Sequence, residues 1–118
     1  MHQHIQLAHQ WFDAFNKQDL DALLALYDDN AEHYSPKLKL HQPETQGLIQ
    51  GKAALCQWWQ DAFQRLPELH YKIIHLMADE QQVFMEYMRH TPNEPDLRVG
   101  EVLSIEGGKI IASRVYHS

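Results

Sequence analysis

The chain reads as an α+β protein in which helices come first and a curved antiparallel meander of four strands follows. Two observations predict this. Apolar residues recur at helical spacing before Pro67. After Pro67, four runs rich in Val, Ile, Tyr and Phe are joined only by "DEQ", "PNEP" and "EGG", turns so short that neighbouring strands must pair antiparallel. At 118 residues, with 44% hydrophobic and 22% charged content, the chain suits one domain over 1–118 with one core.

Residues 4–16, "HIQLAHQWFDAFN", set Ile5, Ala8, Phe12 and Phe15 on one helical face, and Leu7 and Trp11 widen the stripe. Asn16-Lys17-Gln18 interrupts it. Asp19 is a candidate N-cap for a second helix carrying Leu20, Leu23, Leu24 and Tyr27. A turn at Asp29-Asn30 leads to a short first strand, 31–35, which Pro36 ends. The segment "PKLKLHQPETQGLIQ", 36–50, reads as a long connection, and structureless loops of that length in small domains often serve as lids or binding loops. "GKAALCQWWQDAFQRLP" is a third helix, with Leu55, Trp58, Trp59, Ala62, Phe63 and Leu66 in i, i+3, i+4 order. Of its two tryptophans, one is expected in the core and the other at a rim. The strands follow at 69–78, 82–91, 96–105 and 109–118.

Composition narrows the function classes. Ten Lys and Arg against 16 Asp and Glu give a formal charge of −6, which argues against a nucleic-acid partner. No apolar run is long enough to span a membrane, and the N-terminus lacks the pattern of a secretory signal. The single cysteine, Cys56, excludes an internal disulfide and fits a reducing, cytoplasmic setting. Nine histidines are scattered without HExxH or another compact ligand motif, and His70 and His75 fall on opposite faces of a regular strand, so no metal site is expected. Phosphate-binding glycine loops and a GxSxG elbow are absent, and no cofactor is expected.

The closing hairpin, "EVLSIEGGKIIASRVYHS", carries the functional question. A two-residue Gly107-Gly108 loop would set Glu101 opposite Arg114, an ion pair of little worth if exposed. A three-residue Glu106-Gly107-Gly108 loop instead pairs Glu101 with Ser113, Leu103 with Ile111 and Val99 with Val115, with His117 on the same face. That arrangement groups polar side chains at one end of an apolar face, as in a small-ligand pocket. We read the loop as three residues. The opposite face, with Val102, Ile110, Ala112, Arg114 and Tyr116, would then suit another subunit.

The element order and the strings "WFDAFNKQDLDALLALYDDNAEHYSP", "GKAALCQWWQDAF" and "EVLSIEGGKIIASRVYH" resemble the nuclear transport factor 2-like superfamily, and within it the SnoaL-like group. The resemblance spans nearly the whole chain. It implies a cystatin-like cone, a sheet curled round a mostly apolar pocket capped by three N-terminal helices, and a homodimer through the outer sheet face. It also implies a small, largely apolar organic ligand, with cofactor-free isomerase, cyclase or hydrolase chemistry in some members and binding or dimerisation alone in others. Glu101 falls where ketosteroid isomerase places an acidic hydrogen-bond donor. Ser35 stands where that enzyme has its aspartate base, and Phe12 or Phe15 where its tyrosine is expected, so the steroid reaction does not carry over.

Glu101, His33 and His117 are therefore the candidate catalytic residues. A carboxylate on an apolar face has its pKa raised, as a general acid or base near neutrality requires, and imidazole titrates in that range. The bland alternative for Glu101 is an ion pair with Arg98 or Arg114, or a satisfied structural hydrogen bond. Tyr34, Ser35, Trp58, Val99, Leu103, Ser113 and Val115 are the candidate ligand-binding residues. Arg89 and His90 lie on opposite strand faces, so one of the two enters the pocket.

Overall fold

The computed structural model describes residues 2–117. Helix α1, His2–Asn16, buries Leu7, Trp11, Phe12 and Phe15 as its spacing predicts. Gln18, at a φ of 55°, makes the reversal into α2, Leu20–Ala25, whose N-cap Asp19 accepts from the Ala22 N–H at 3.1 Å. Tyr27 is not on that helix. It opens strand β1, Tyr27–Tyr34, which starts four residues earlier than the expected strand and takes Tyr27 into the core at 1% exposure.

The expected long loop at 36–50 is instead structured throughout. Ser35 caps a short helix α3, Pro36–His41, by accepting from the Lys37 N–H at 3.2 Å. A 3₁₀ turn, Pro43–Thr45, follows, and strand β2, Leu48–Gln50, pairs antiparallel with β1. Proline at the first position of a helix is favourable, and here Pro36 and Pro43 open helical turns within the segment read as a loop. Helix α4, Lys52–Arg65, then buries Leu55, Trp58, Trp59, Ala62 and Phe63.

Strands β3, His70–Ala78, β4, Gln82–His90, β5, Leu97–Glu106, and β6, Lys109–Tyr116, form the expected meander. The last strand was expected to run to 118; it stops at Tyr116, and Ser118 lies outside the described residues. The sheet has six strands where five were expected, in the order β2-β1-β6-β5-β4-β3, with β1 parallel to β6 and every other pair antiparallel. Helix α1 packs across β3 and β4, while α4 packs on β1 and β2, so the helices lie over one face of the sheet.

The final hairpin takes neither expected register. Its loop is Gly107-Gly108, with φ of 60° and 78°, and Glu106 faces Lys109. A bulge then inserts Ile111, so that Ile105 faces Ile110 but Ser104 faces Ala112, Leu103 faces Ser113 and Glu101 faces Val115. The extra residue restores the alternation that the shorter loop had reversed. Val99, Glu101, Leu103, Ser113 and Val115 consequently share the buried face, as expected, with partners displaced by two residues. Ile110 rather than Ile111 enters the core. A second bulge lies in β3 between Ile73 and His75, which puts His75 on the outer side with His70 instead of opposite to it.

Candidate functional site

Between the helices and the concave sheet face lies an open-mouthed cavity of about 80 Å³. An engineered apolar cavity of about 150 Å³ takes one benzene ring, so this one has room for the end of a ligand rather than the whole of a large one. Trp11, Phe15, Trp58, Trp59, Tyr71 and Tyr87 make much of its wall, and Val99 and Val115 form part of the sheet side. The rings brace one another: Phe15 stacks on Tyr71 at 4.1 Å, and Tyr71 on Tyr87 at 4.2 Å. Both tryptophans of α4 are buried, at 7% and 3% exposure, and both line the cavity, so neither is a plain rim residue.

Glu101 belongs to this wall and is 1% exposed. Its Oε1 accepts from the Tyr87 hydroxyl at 2.7 Å, whereas Oε2 is buried with no hydrogen-bond partner. Neither arginine neutralises it. Arg114 faces Val102 and donates to Ser104 Oγ, while Arg98 pairs with Glu86 on the outer side. Burial pushes the Glu101 carboxyl up to about 7, against the Tyr87 bond, which pulls it down. Burial and then the Glu101 charge hold the Tyr71 and Tyr87 hydroxyls above their usual value, so both remain protonated donors.

His33 stands beside this group on β1, 3% exposed, with its ring 5.2 Å from that of Trp59. Beneath it runs a buried relay. Trp11 Nε1–H donates to the Tyr27 hydroxyl at 3.1 Å, Tyr27 donates to Ser113 Oγ at 3.0 Å, and Ser113 Oγ lies 2.6 Å from His33 Nδ1. The indole can only donate, so every hydrogen in the chain is used when each hydroxyl passes its own forward. Nδ1 is then the acceptor, and the ring proton sits on Nε2. Burial lowers the imidazole to about 4, which keeps the ring neutral near pH 7.

Of the residues singled out from sequence, the cavity wall brings together Glu101, His33, His117, Ser35, Trp58, Val99 and Val115. Three are placed elsewhere. Leu103 is fully buried in the core and is not part of the wall. Ser113 is fully buried behind His33, where it positions the ring. Tyr34 alternates to the other face of β1, with its ring against Gly47 and 6.3 Å from Tyr116. Arg89, not His90, enters the cavity; His90 is exposed and pairs with Asp96 at 2.7 Å.

Tyr87, Tyr71, Tyr27 and the cationic side chains Lys37 and Arg65 were not among the expected site residues, yet all line or support the site. Tyr87 was legible, being two residues from Arg89 on one strand face. Lys37 was hidden by the reading of 36–50 as a loop. Among the described residues no group of three or more His, Cys, Asp or Glu is arranged to hold a metal ion, and no helix is long and apolar enough to cross a membrane.

Known proteins agree with this architecture. A SnoaL-like protein of unknown function from Burkholderia thailandensis has the same fold, with a TM-score of 0.90 and 25% identity over 100% of this chain and 96% of that one. A protein from Kribbella flavida proposed as a ketosteroid isomerase superposes with a TM-score of 0.81 at 19% identity, over 99% of this chain and 78% of that one. A cystatin-fold protein from Novosphingobium aromaticivorans superposes with a TM-score of 0.80 at 21% identity, over 97% of both chains. No curated protein matches the chain. Residues 8–113 match the SnoaL-like domain, and the chain belongs to that family.

Proposed function

We propose that the cavity binds a small, largely apolar organic molecule and that Glu101 exchanges a proton with it, without a cofactor. The observation that carries this reading is the Glu101 carboxyl itself. One oxygen is held by Tyr87, the other is buried and unpartnered, and the group belongs to the wall of an aromatic cavity. A buried polar atom without a partner is costly, and such atoms concentrate where function requires them. With its pKa near 7, the carboxyl is present in both forms at neutral pH. The ionised form takes a proton from an acidic carbon of the ligand, and the protonated form returns it at a second atom or to a leaving oxygen.

His33 serves as the electrophile in this scheme. Its neutral ring offers the Nε2 proton to a ligand oxygen that gains charge as the carbon is deprotonated, while Ser113 and Tyr27 hold the tautomer. His117 is a further polar group of the wall. The alternative, a purely binding pocket or a dimerisation domain, fits best a Glu101 whose two oxygens are both bonded by protein groups, and Oε2 is not.

Screening small lactones, enones and epoxides by thermal shift, followed by NMR of ligand proton exchange in deuterated buffer, tests the reading. Exchange should fall by roughly 10²–10⁴-fold in Glu101→Gln. Ligand stabilisation and exchange equal in both forms would remove Glu101 from the site.

The homodimer proposal rests on the outer sheet face, where Met77, Phe84 and Tyr116 are exposed at 58%, 37% and 52%. Met77 and Phe84 line a shallow depression together with Val102. A cytoplasmic location is supported by the lone free cysteine.

A further inference from the structure

The charges of the cavity run against those of the chain. The molecule carries 16 acidic and 10 basic side chains, yet Lys37, Arg65 and Arg89 line this one cavity against a single carboxylate, Glu101. These three come from α3, α4 and β4, so the tertiary fold alone brings them together. Arg89 is the buried member at 8% exposure, and its Nη1 donates to Glu94 Oε1 at 2.9 Å. A guanidinium carries five N–H donors. Glu94 is the one side-chain acceptor of Arg89 among the described residues. Arg65 uses its Nε on Asp61, at 2.8 Å, a bond that leaves its terminal nitrogens uncommitted.

Glu94 belongs to the segment between β4 and β5, and its side chain is 42% exposed. Its carboxyl is held below the usual value by the Arg89 bond first and then by the charges of Arg89, Lys37 and Arg65. One carboxylate thus already sits in the combined field of the three cations, tethered to the buried one and otherwise facing water.

We infer that the ligand of this cavity carries a carboxylate, which binds Arg89 at the mouth with Lys37 and Arg65 beside it, in the place that the Glu94 carboxylate takes in this structure. The inference rests on the proposed function and names its substrate class, a small organic acid with an apolar or carbonyl-bearing end. Glu94 is a self-occupant that keeps the buried guanidinium paired until the ligand displaces it. The dimensions agree. Arg89 lies two residues along β4 from Tyr87, about 7 Å, so a short chain joins an acid group at Arg89 to a carbonyl near Tyr87 and Glu101. The enclosed volume accepts only the reactive end, which leaves the acid group at the mouth.

The test uses a series of straight-chain oxo acids of about four to eight carbons, a span that brackets the strand distance, each against its methyl ester. Trp58 and Trp59 in the wall report binding by intrinsic fluorescence. At the best length, the acid should bind at least about tenfold tighter than its ester. Arg89→Gln should abolish that preference while leaving ester binding in place, which also shows that the variant is folded. Glu94→Gln, at an exposed loop position, should tighten acid binding severalfold and leave the ester unchanged. Equal affinity for acid and ester, a preference that survives Arg89→Gln, or no effect of Glu94→Gln would each overturn the acid assignment while leaving the ligand cavity standing. If neither acid nor ester binds at any length, the cavity reading itself fails and the acid assignment with it.

Discussion

Glu101 and His33 meet on one wall and are shifted in opposite senses by the same cause, burial. The folded Glu101 pKa, about 7, lies above the ordinary 4.5, so between those values the native state holds a proton that the unfolded chain has released. Its contribution to stability is complete below about 4.5, falls as pH rises through the window, and is gone above about 7. For His33 the folded value, about 4, lies below the ordinary 6.5. The unfolded imidazole then takes up a proton that the native one refuses, and stability is lost as pH falls from 6.5 towards 4. Each effect is of order 3 kcal/mol, so the two nearly cancel. Chemical denaturation across pH 4–8 should therefore show little net slope from this pair in the wild type. Glu101→Gln should give stability rising with pH across the window, and His33→Asn stability falling; matching slopes in the two variants would contradict the assignment. Tyr87→Phe keeps the ring stack but removes the hydroxyl that favours the ionised carboxyl. The Glu101 titration, followed by carboxyl NMR, should move to higher pH, at a stability cost of about 1 kcal/mol.

Strands β5 and β6 show how local irregularity places a site. The Gly107-Gly108 turn requires left-handed backbone at both positions, and a Cβ at either would meet nothing within 4 Å. Gly108→Ala should therefore cost only the backbone term, about 1–2 kcal/mol by thermal denaturation, with the cavity unaffected. Ile111 is a different matter. Were Ile111 paired in the ladder instead of bulged, continuing the Ile105–Ile110 pairing would set Glu101 opposite Arg114, and Ser113 and Val115 would turn outward. Deleting Ile111 joins Ile110 to Ala112 and keeps Glu101 opposite Val115, so the variant should fold with little loss of stability by denaturation and retain its near-UV circular dichroism. Loss of folding would show that the bend the bulge gives β6, and not the register alone, closes the sheet. The bulge in β3 acts in the same sense, since extra residues increase the local bend of a sheet that must close round the pocket.

The molecule as a unit has two dissimilar sheet faces, one enclosing the cavity and one exposing Met77, Phe84 and Tyr116. Phe84 lies over Gly100, where an added Cβ would stand 3.1 Å from its ring, so the glycine lets the ring lie close against the outer face. If two chains associate through this face, Phe84→Glu should convert a dimer to a monomer in sedimentation velocity, with cavity ligand binding preserved. An unchanged sedimentation coefficient would place any dimer contact elsewhere.

Much of the architecture was legible because its signals are periodic and local: the α1 and α4 stripes, the Asp19 cap, and short polar turns that force antiparallel pairing. The inward face of Glu101, Ser113 and Val115 was also legible, since alternation survives an error of two residues in register. Local pattern does not encode a bulge, because one inserted residue is compensated only by the partner strand, and the hairpin loop was misread for that reason. Nor does it reveal that Ser113 faces a histidine 80 positions away and not a ligand, or that three cations from separate elements converge on one mouth. Those are consequences of long-range closure. The sequence supplies the side chains and their strand faces, and the curl of the sheet under its helices determines which become neighbours, because burial and charge act through space rather than along the chain.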